Sequence, residues 1–288
     1  SSEPGLAVVV ENEPNNPLRT PAGGVILRGD GAAEFESALN PQRIFISKKP
    51  SMAVKTGDKL NGSVIGVLNY ASGNFKIQPE GNLPAVIPSD LSQAVTTLDP
   101  AEDKLTVATF NVENFSKKDA ARAQKIAAII VNNLKQPDII GVMEVQDNDG
   151  DTNSGNTAAD QSFQTLIDAI RNQGGADYSY TDIAPVNNLD GGAPGANIRV
   201  GFLYNPERVS LTGNAVKGDA TTSVEVNTDG SLSLNPGRIA PGDEAFASSR
   251  KPLAAEFQFK DERVVVIANH FNSKGGDLKP YGSVQPVV

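Results

Sequence analysis

The sequence predicts an α/β fold class: a mixed α/β layer domain preceded by a small β-rich module. Three observations lead there. Up to about residue 100 the chain is dense in Gly, Pro and Asn, with short apolar runs and no helical spacing. From residue 104, strand-length apolar runs alternate with two stretches whose apolar residues recur at helical spacing. After the second of these stretches, strand candidates follow one another directly, and β-α-β-α order leading into consecutive strands fits a layered domain.

In the module the strand candidates are Gly24–Arg28, Arg43–Ile46, Ser63–Asn69 and Phe75–Gln78. Tyr70-Ala71-Ser72-Gly73-Asn74 reads as the hairpin turn between the last two. Leu91–Asp103 reads as a linker broken at Pro100, which divides the chain into residues 1–100 and 101–288. Leu105–Phe110 is the first strand of the second part and ends at Asn111. Ser116-Lys117-Lys118-Asp119 has the form of a capping box, and Ile126, Ile129, Ile130 and Leu134 mark the apolar face of the helix it opens. Pro137 stops that helix, and Asp138–Met143 is a strand that delivers Glu144. The second helix carries Phe163, Leu166, Ile167 and Ile170 on one face and closes at Gly174-Gly175. Tyr178–Ile183, Ile198–Tyr204, Leu253–Phe259 and Val264–Ala268 are the remaining strands. Residues 216–244, rich in Gly, Asn, Asp and Pro, predict a long surface hairpin or mobile loop near the substrate face.

Composition narrows the function. The 288 residues are 39% hydrophobic and 20% charged, a globular profile. No run approaches the roughly 18 apolar residues that a membrane span needs. The start resembles no signal peptide, so the protein is either intracellular or has lost a leader. The absence of cysteine excludes disulfides and thiolate metal sites. A net charge of −9 gives no general pull toward nucleic acid or anionic lipid, so phosphates must be bound locally, by a few basic side chains or a divalent cation.

Three strand ends carry polar residues of chemical interest: Asn111, Glu144 and His270, the only histidine. In open α/β sheets functional groups collect beyond the carboxyl ends of strands. An Asn and a Glu together suit a hard, oxygen-ligated cation such as Mg²⁺. Taken singly, Asn111 reads as a turn cap, Glu144 as the start of a solvated loop and His270 as a structural residue. Their conjunction favours a site.

"LTVATFNVENF" (105–115), "PDIIGVMEVQD" (137–147), "IRVGFLYNPERVS" (198–210), "SSRKPLAAEFQF" (248–259) and "VVVIANHFNSKGGD" (264–277) resemble successive motifs of the endonuclease/exonuclease/phosphatase superfamily. Among its members the large bacterial extracellular nucleases are the most similar. The resemblance implies a DNase I-like β-sandwich with flanking helices. It also implies a secreted, metal-dependent nuclease, a phosphodiesterase cutting DNA or RNA outside the cell or at its surface, with Mg²⁺ as cofactor and Mn²⁺ or Ca²⁺ as alternatives. Residue by residue, it implies Glu144 as metal ligand and Asn111 as support for the metal and the scissile phosphate. Tyr204, Arg250 and His270 take catalytic positions, and Asn272 and Lys274 face the substrate phosphate. The superfamily's later Asp-x-Asn segment and terminal Asp-His pair have no counterpart after Asp277. That implies a chain cut within the catalytic domain, with half of the active site and no activity of its own.

"GDKLNGSVIGVLNYASGNFKIQP" (57–79) resembles the oligonucleotide-binding-type module that precedes such nuclease domains, with a generic β extension as the equal alternative. Two other functions stay open. One is a lipid-headgroup phosphodiesterase of the sphingomyelinase kind, which shares the fold. The other is a non-catalytic surface- or matrix-binding fragment with vestigial motifs. Finally, Asp147, Asp149 and Asp151 alternate like the start of a calcium loop, but Ala158 stands at the loop's last ligand position, so the segment reads as a solvated turn.

Overall fold

Ile139–Val142, an apolar run of the second half, becomes a strand buried on both faces, and its neighbours are arranged around it. The computed structural model describes residues 5–9, 20, 24, 43–48, 53–71, 74–212 and 216–271. The chain forms two compact units, one built on the residues up to Ser92 and the other on Gln93–Ser273.

The first unit contains β1 (Leu6–Val9), β2 (Arg43–Ile46), β3 (Lys59–Leu60), β4 (Gly66–Ala71), β5 (Asn74–Pro79) and β6 (Val86–Ile87). Four of these form a sheet in the order β1-β2-β5-β4, with β2 and β5 parallel, and β3 pairs with β6. It is the β-rich module expected. The β4–β5 register, Ala71 opposite Asn74, makes the predicted hairpin. Apart from Gly24, the strand expected at Gly24–Arg28 lies outside the described residues.

The second unit contains β7 (Val107–Phe115), α1 (Ala120–Ala128), β8 (Ile139–Val145), α2 (Asp160–Asn172), β9 (Ser179–Asp182), β10 (Arg199–Tyr204), β11 (Val209–Leu211), β12 (Gly237–Arg238), β13 (Leu253–Phe259) and β14 (Glu262–Ala268). One sheet runs β7-β8-β10-β9, with β7 and β8 parallel. In the other, β11 and β12 share one edge of β13 and β14 takes the opposite edge. Period-two alternation along β8 sorts the layers. Ile140 and Val142 pack with Phe163, Leu166 and Ile170 of α2 and with Ile126 of α1. Ile139 packs with Phe202 of β10 and with Leu253, Ala255 and Phe257 of β13. The result is helices on one face of the first sheet and the second sheet on the other.

Packing, more than capping, holds the helices. Ala159 has no side chain to cap the start of α2, and Asn148 from the preceding loop does so in its place, its Oδ1 accepting from Gln161 N at 2.9 Å and Ser162 N at 3.2 Å. Phe163, Leu166, Ile167 and Ile170 are all buried, and each contributes about 1.5–3 kcal/mol, so the apolar face outweighs the roughly 1 kcal/mol of a cap. Gly201 of β10 makes room for it: a Cβ there would lie 2.6 Å from the Phe163 ring. The expected capping box is displaced. Asp119 accepts from Ser116 N at 3.2 Å, and Ser116 Oγ accepts from Lys118 N, so the motif closes a turn just before α1 and leaves the helix start uncapped. The helix expected to run to Leu134 ends its α-helical part at Ala128 and continues as a π-helical turn, Ile129–Asn133.

At the start of β8, Asp138 accepts from Thr106 N at 2.7 Å, from Thr106 Oγ1 at 2.9 Å and from Arg208 Nε at 2.8 Å. Arg208 also donates to the carbonyls of Ala101, Glu102 and Lys104. Segment 216–244 doubles back as a surface hairpin, with Val226 opposite Leu232, and is held to β13 by the Asn235 side chain, which exchanges hydrogen bonds with the Glu256 backbone.

Candidate phosphate and metal site

The site begins with an irregularity in β7. Asn111 pairs with Met143 and Phe115 with Val145, so three residues of β7, Val112–Asn114, stand opposite Glu144 alone. Buried Val112 and Phe115 anchor this bulge from below. Glu113, Asn114 and Glu144 all have left-handed backbone, with φ of 53°, 50° and 65°. Side-chain-bearing residues adopt it at a cost of about 1–2 kcal/mol each, so the surroundings must hold it in place. Arg122 of α1 does part of this, donating to the carbonyls of Glu113 and Asn114 and to Asp119.

Three groups converge on one carboxylate, two of them from the bulge. Asn111 Nδ2 donates to Glu144 Oε1 at 2.8 Å, and Asn114 N donates to Oε2 at 3.0 Å. Asn111 Oδ1 accepts from Glu113 N at 2.8 Å, which fixes the amide's orientation. His270 Nε2 faces Oε1 at 3.4 Å.

His270 and Arg250 come from the second sheet. Leu253 pairs with Ala268, so the chain entering β13 and the chain leaving β14 meet at one end. There Arg250 Nε donates to His270 Nδ1 at 3.2 Å and Nη2 donates to the Phe271 carbonyl at 3.3 Å. A guanidinium cannot accept, so Nδ1 carries the lone pair and the imidazole proton sits on Nε2, toward Glu144. Burial pushes the His270 pKa below its ordinary value, the Arg250 charge adds to this, and Glu144 opposes it less strongly. His270 is therefore the neutral, Nε2-protonated form at neutral pH.

The turn that carries Arg250 is clamped from the β9–β10 loop. Asp190 lies 2.8 Å from Arg238 Nη2 and 3.6 Å from Lys251 Nζ, with Asp190 and Arg238 buried and Lys251 partly buried. Lys251 Nζ donates to the carbonyls of Phe246 and Ser249 at 2.7 Å. Gly191, at φ 68°, lies so close that a Cβ would be 2.0 Å from the Ser248 carbonyl oxygen, so only glycine fits.

The structure thus brings Asn111, Glu144, Arg250 and His270 together. Tyr204 is the correction. β10 runs antiparallel to β8, with Tyr204 opposite Ile139 and Arg199 opposite Val145, so the tyrosine sits at the far end of the strand from Glu144. It packs against Phe257 at 5.6 Å, as a flank of the core. At the Glu144 end β10 presents Arg199, fully buried and committed to Asp182 and the Thr157 carbonyl. Asn272 and Lys274 lie outside the described residues. The segment read as a solvated turn is instead partly internal. Asp147 is buried, accepts from Asn197 Nδ2 at 3.0 Å, and is pushed above the usual carboxylate range by desolvation. Asn114, Asp190 and Gly191 escaped the sequence reading because loop and bulge positions carry no periodic signal, and Arg122 because the exposed face of a helix does not record which backbone carbonyls it reaches.

A carboxylate offers about four lone-pair sites, and Glu144 uses two for hydrogen bonds and turns one toward His270. That leaves room for one bond to a hard cation. Mg²⁺ is bound through one or two carboxylates with several waters retained, so the donor set fits that ion. Among the described residues no three His, Cys, Asp or Glu side chains come together in a way that could hold an ion by themselves.

Residues 108–278, more than half of the chain, match the model of the Endonuclease/Exonuclease/phosphatase family, and residues 2–88 match a domain of unknown function (DUF8508). No curated protein matches the chain. Among solved structures, humanized D. rerio TDP2 is similar at 15% identity and a TM-score of 0.34, over 59% of this chain and 52% of that one. D. rerio TDP2 complexed with single strand DNA product is similar at 16% identity and 0.33, over 60% and 49%. An endonuclease/exonuclease/phosphatase family protein from Leptotrichia buccalis is similar at 12% identity and 0.35, over 62% and 60%. The chain therefore spans about half to three fifths of the proteins it resembles.

Proposed function

Since the chain belongs to the endonuclease/exonuclease/phosphatase family, whose members are hydrolytic phosphoesterases, we propose that its second unit is the cation- and phosphate-handling part of a metal-dependent phosphodiesterase acting on nucleic acid. One observation carries this reading: Asn111, Glu144, His270 and Arg250 form a continuous polar chain joining the ends of two sheets. The bacterial extracellular setting rests on the motif resemblance.

Bound Mg²⁺, held by Glu144 with Asn111 beside it, would supply Lewis-acid polarisation of a phosphoryl oxygen. His270 presents its Nε2 proton to an oxygen on which charge develops, as a fixed donor that needs no reorganisation. Arg250 holds the imidazole tautomer and adds a permanent positive charge. Asn111 and Asn114 orient the Glu144 carboxylate. An acidic protein can bind a polyanion in this way because the positive groups are concentrated where the phosphate sits.

The test is a titration with Mn²⁺ as the probe ion, read by NMR on the single histidine. Broadening of the His270 ring resonances that disappears in Glu144→Gln is expected. Broadening that survives the substitution unchanged would remove Glu144 from the role.

A further inference from the structure

His270 and Arg250 also line a cavity of about 110 Å³, to which Asn111 and Glu144 do not contribute. Its lining includes Phe246, Ser249, Arg250, Asn269, His270 and Phe271. Phe246 is partly buried, and Phe271 is 73% exposed at its mouth.

We propose that this cavity is a nucleobase subsite, receiving the base of the nucleotide whose phosphate lies against Arg250 and His270. The proposal rests on the phosphodiesterase reading and names the substrate class within it. Contiguity comes first. Two residues of the lining are the phosphate-facing groups themselves, so whatever fills the cavity lies next to the phosphate. The second argument is shape. A Phe left in water at a polar site gains by being covered with a flat π-system, and stacking of bases on aromatic side chains is tolerant of sequence. Asn269 then offers an amide, with one acceptor and two donors, which suits the edge of a base.

Charge separates the base from its main competitor. Aromatic cages also bind quaternary ammonium groups, as in choline. Here the lining contains the Arg250 guanidinium and no carboxylate, so a cationic headgroup would be repelled where a neutral base is not. The Arg250 plane can itself stack on a base.

The experiment measures binding of three probes to the 288-residue chain by calorimetry: thymidine 3′,5′-bisphosphate, the same sugar bisphosphate without a base, and phosphocholine. Inorganic phosphate is the reference. The base-bearing probe should bind at least tenfold tighter than the baseless one. Phe271→Ala and the milder Phe246→Leu should shrink that ratio while leaving the baseless probe unchanged. Equal affinity with and without the base would overturn the subsite, and phosphocholine binding better than inorganic phosphate would assign the cavity to a headgroup. Failure of every phosphate to bind would instead overturn the phosphodiesterase reading beneath it.

Discussion

The two ends of β8 each hold a carboxylate and an arginine, yet they are built to opposite purposes. At the start of the strand, Asp138 accepts three hydrogen bonds, and its partner Arg208 is tied to three backbone carbonyls besides. The Asp138 side chain is 7% exposed, and little capacity is left unused. Near the finish of the strand, Glu144 is 20% exposed, sits on left-handed backbone and faces an imidazole that is itself held from behind by Arg250. One end spends its polar groups on itself. The other holds them in place with capacity to spare, and that difference distinguishes a structural ion pair from a site.

The contrast can be broken most severely at the closed end. Asp138→Ala strips Arg208 and Thr106 of their acceptor and should cost about 3 kcal/mol in urea unfolding. The His270 resonances should barely move in that variant. Glu144→Gln should do the reverse. Mn²⁺ affinity should fall by more than about 100-fold, the most that is usual when a group merely supporting a ligand is lost, with stability nearly unchanged. Tyr204→Ala sharpens the comparison from the same end as Asp138. It should cost about 2 kcal/mol as a partly buried aromatic and leave Mn²⁺ binding intact; a loss of cation affinity would restore the tyrosine to the site.

Next comes pH. The His270 pKa is depressed in the fold, so the native state binds fewer protons there than the unfolded chain. That contribution to stability is complete above the unfolded value of about 6.5 and is lost as pH falls through the folded value. An NMR titration of this single histidine should have its midpoint below 6.5, and Arg250→Gln should raise it, whereas Asp138→Asn should not. The smallest effect is expected at Glu113, where glycine relieves a left-handed backbone. Glu113→Gly should gain about 0.5–1 kcal/mol in thermal unfolding.

What was legible in the sequence follows the same division. The apolar runs at Ile139–Val142 and Leu253–Phe259 dictated buried strands, and the spacing of Phe163, Leu166, Ile167 and Ile170 dictated a helix face, because burial repeats with the period of the backbone. Asn111, Glu144 and His270 were visible as polar residues closing apolar runs. Strand direction was not visible. Tyr204 also closes an apolar run, but β10 is antiparallel to its neighbour, and nothing within six residues records that. The supports were hidden for another reason. Asn114 acts through its backbone N–H, Gly191 through lacking a Cβ, and Asp190 through partners far along the chain, none of which leaves a local pattern.

The left-handed backbone at Glu113, Asn114 and Glu144 has a consequence for anyone who would improve this protein. A library ranked on heat tolerance alone would score glycine at Glu144 only as strain relieved against the hydrogen bonds lost from Asn111 and Asn114, and would count nothing for the carboxylate's capacity to bind a cation. Robust variants would accumulate with the same core, the same sheets and an empty corner. Consensus or thermostability engineering should therefore hold residues 111–114 and 144 fixed, and take its gains at the closed end of β8 and on the helices.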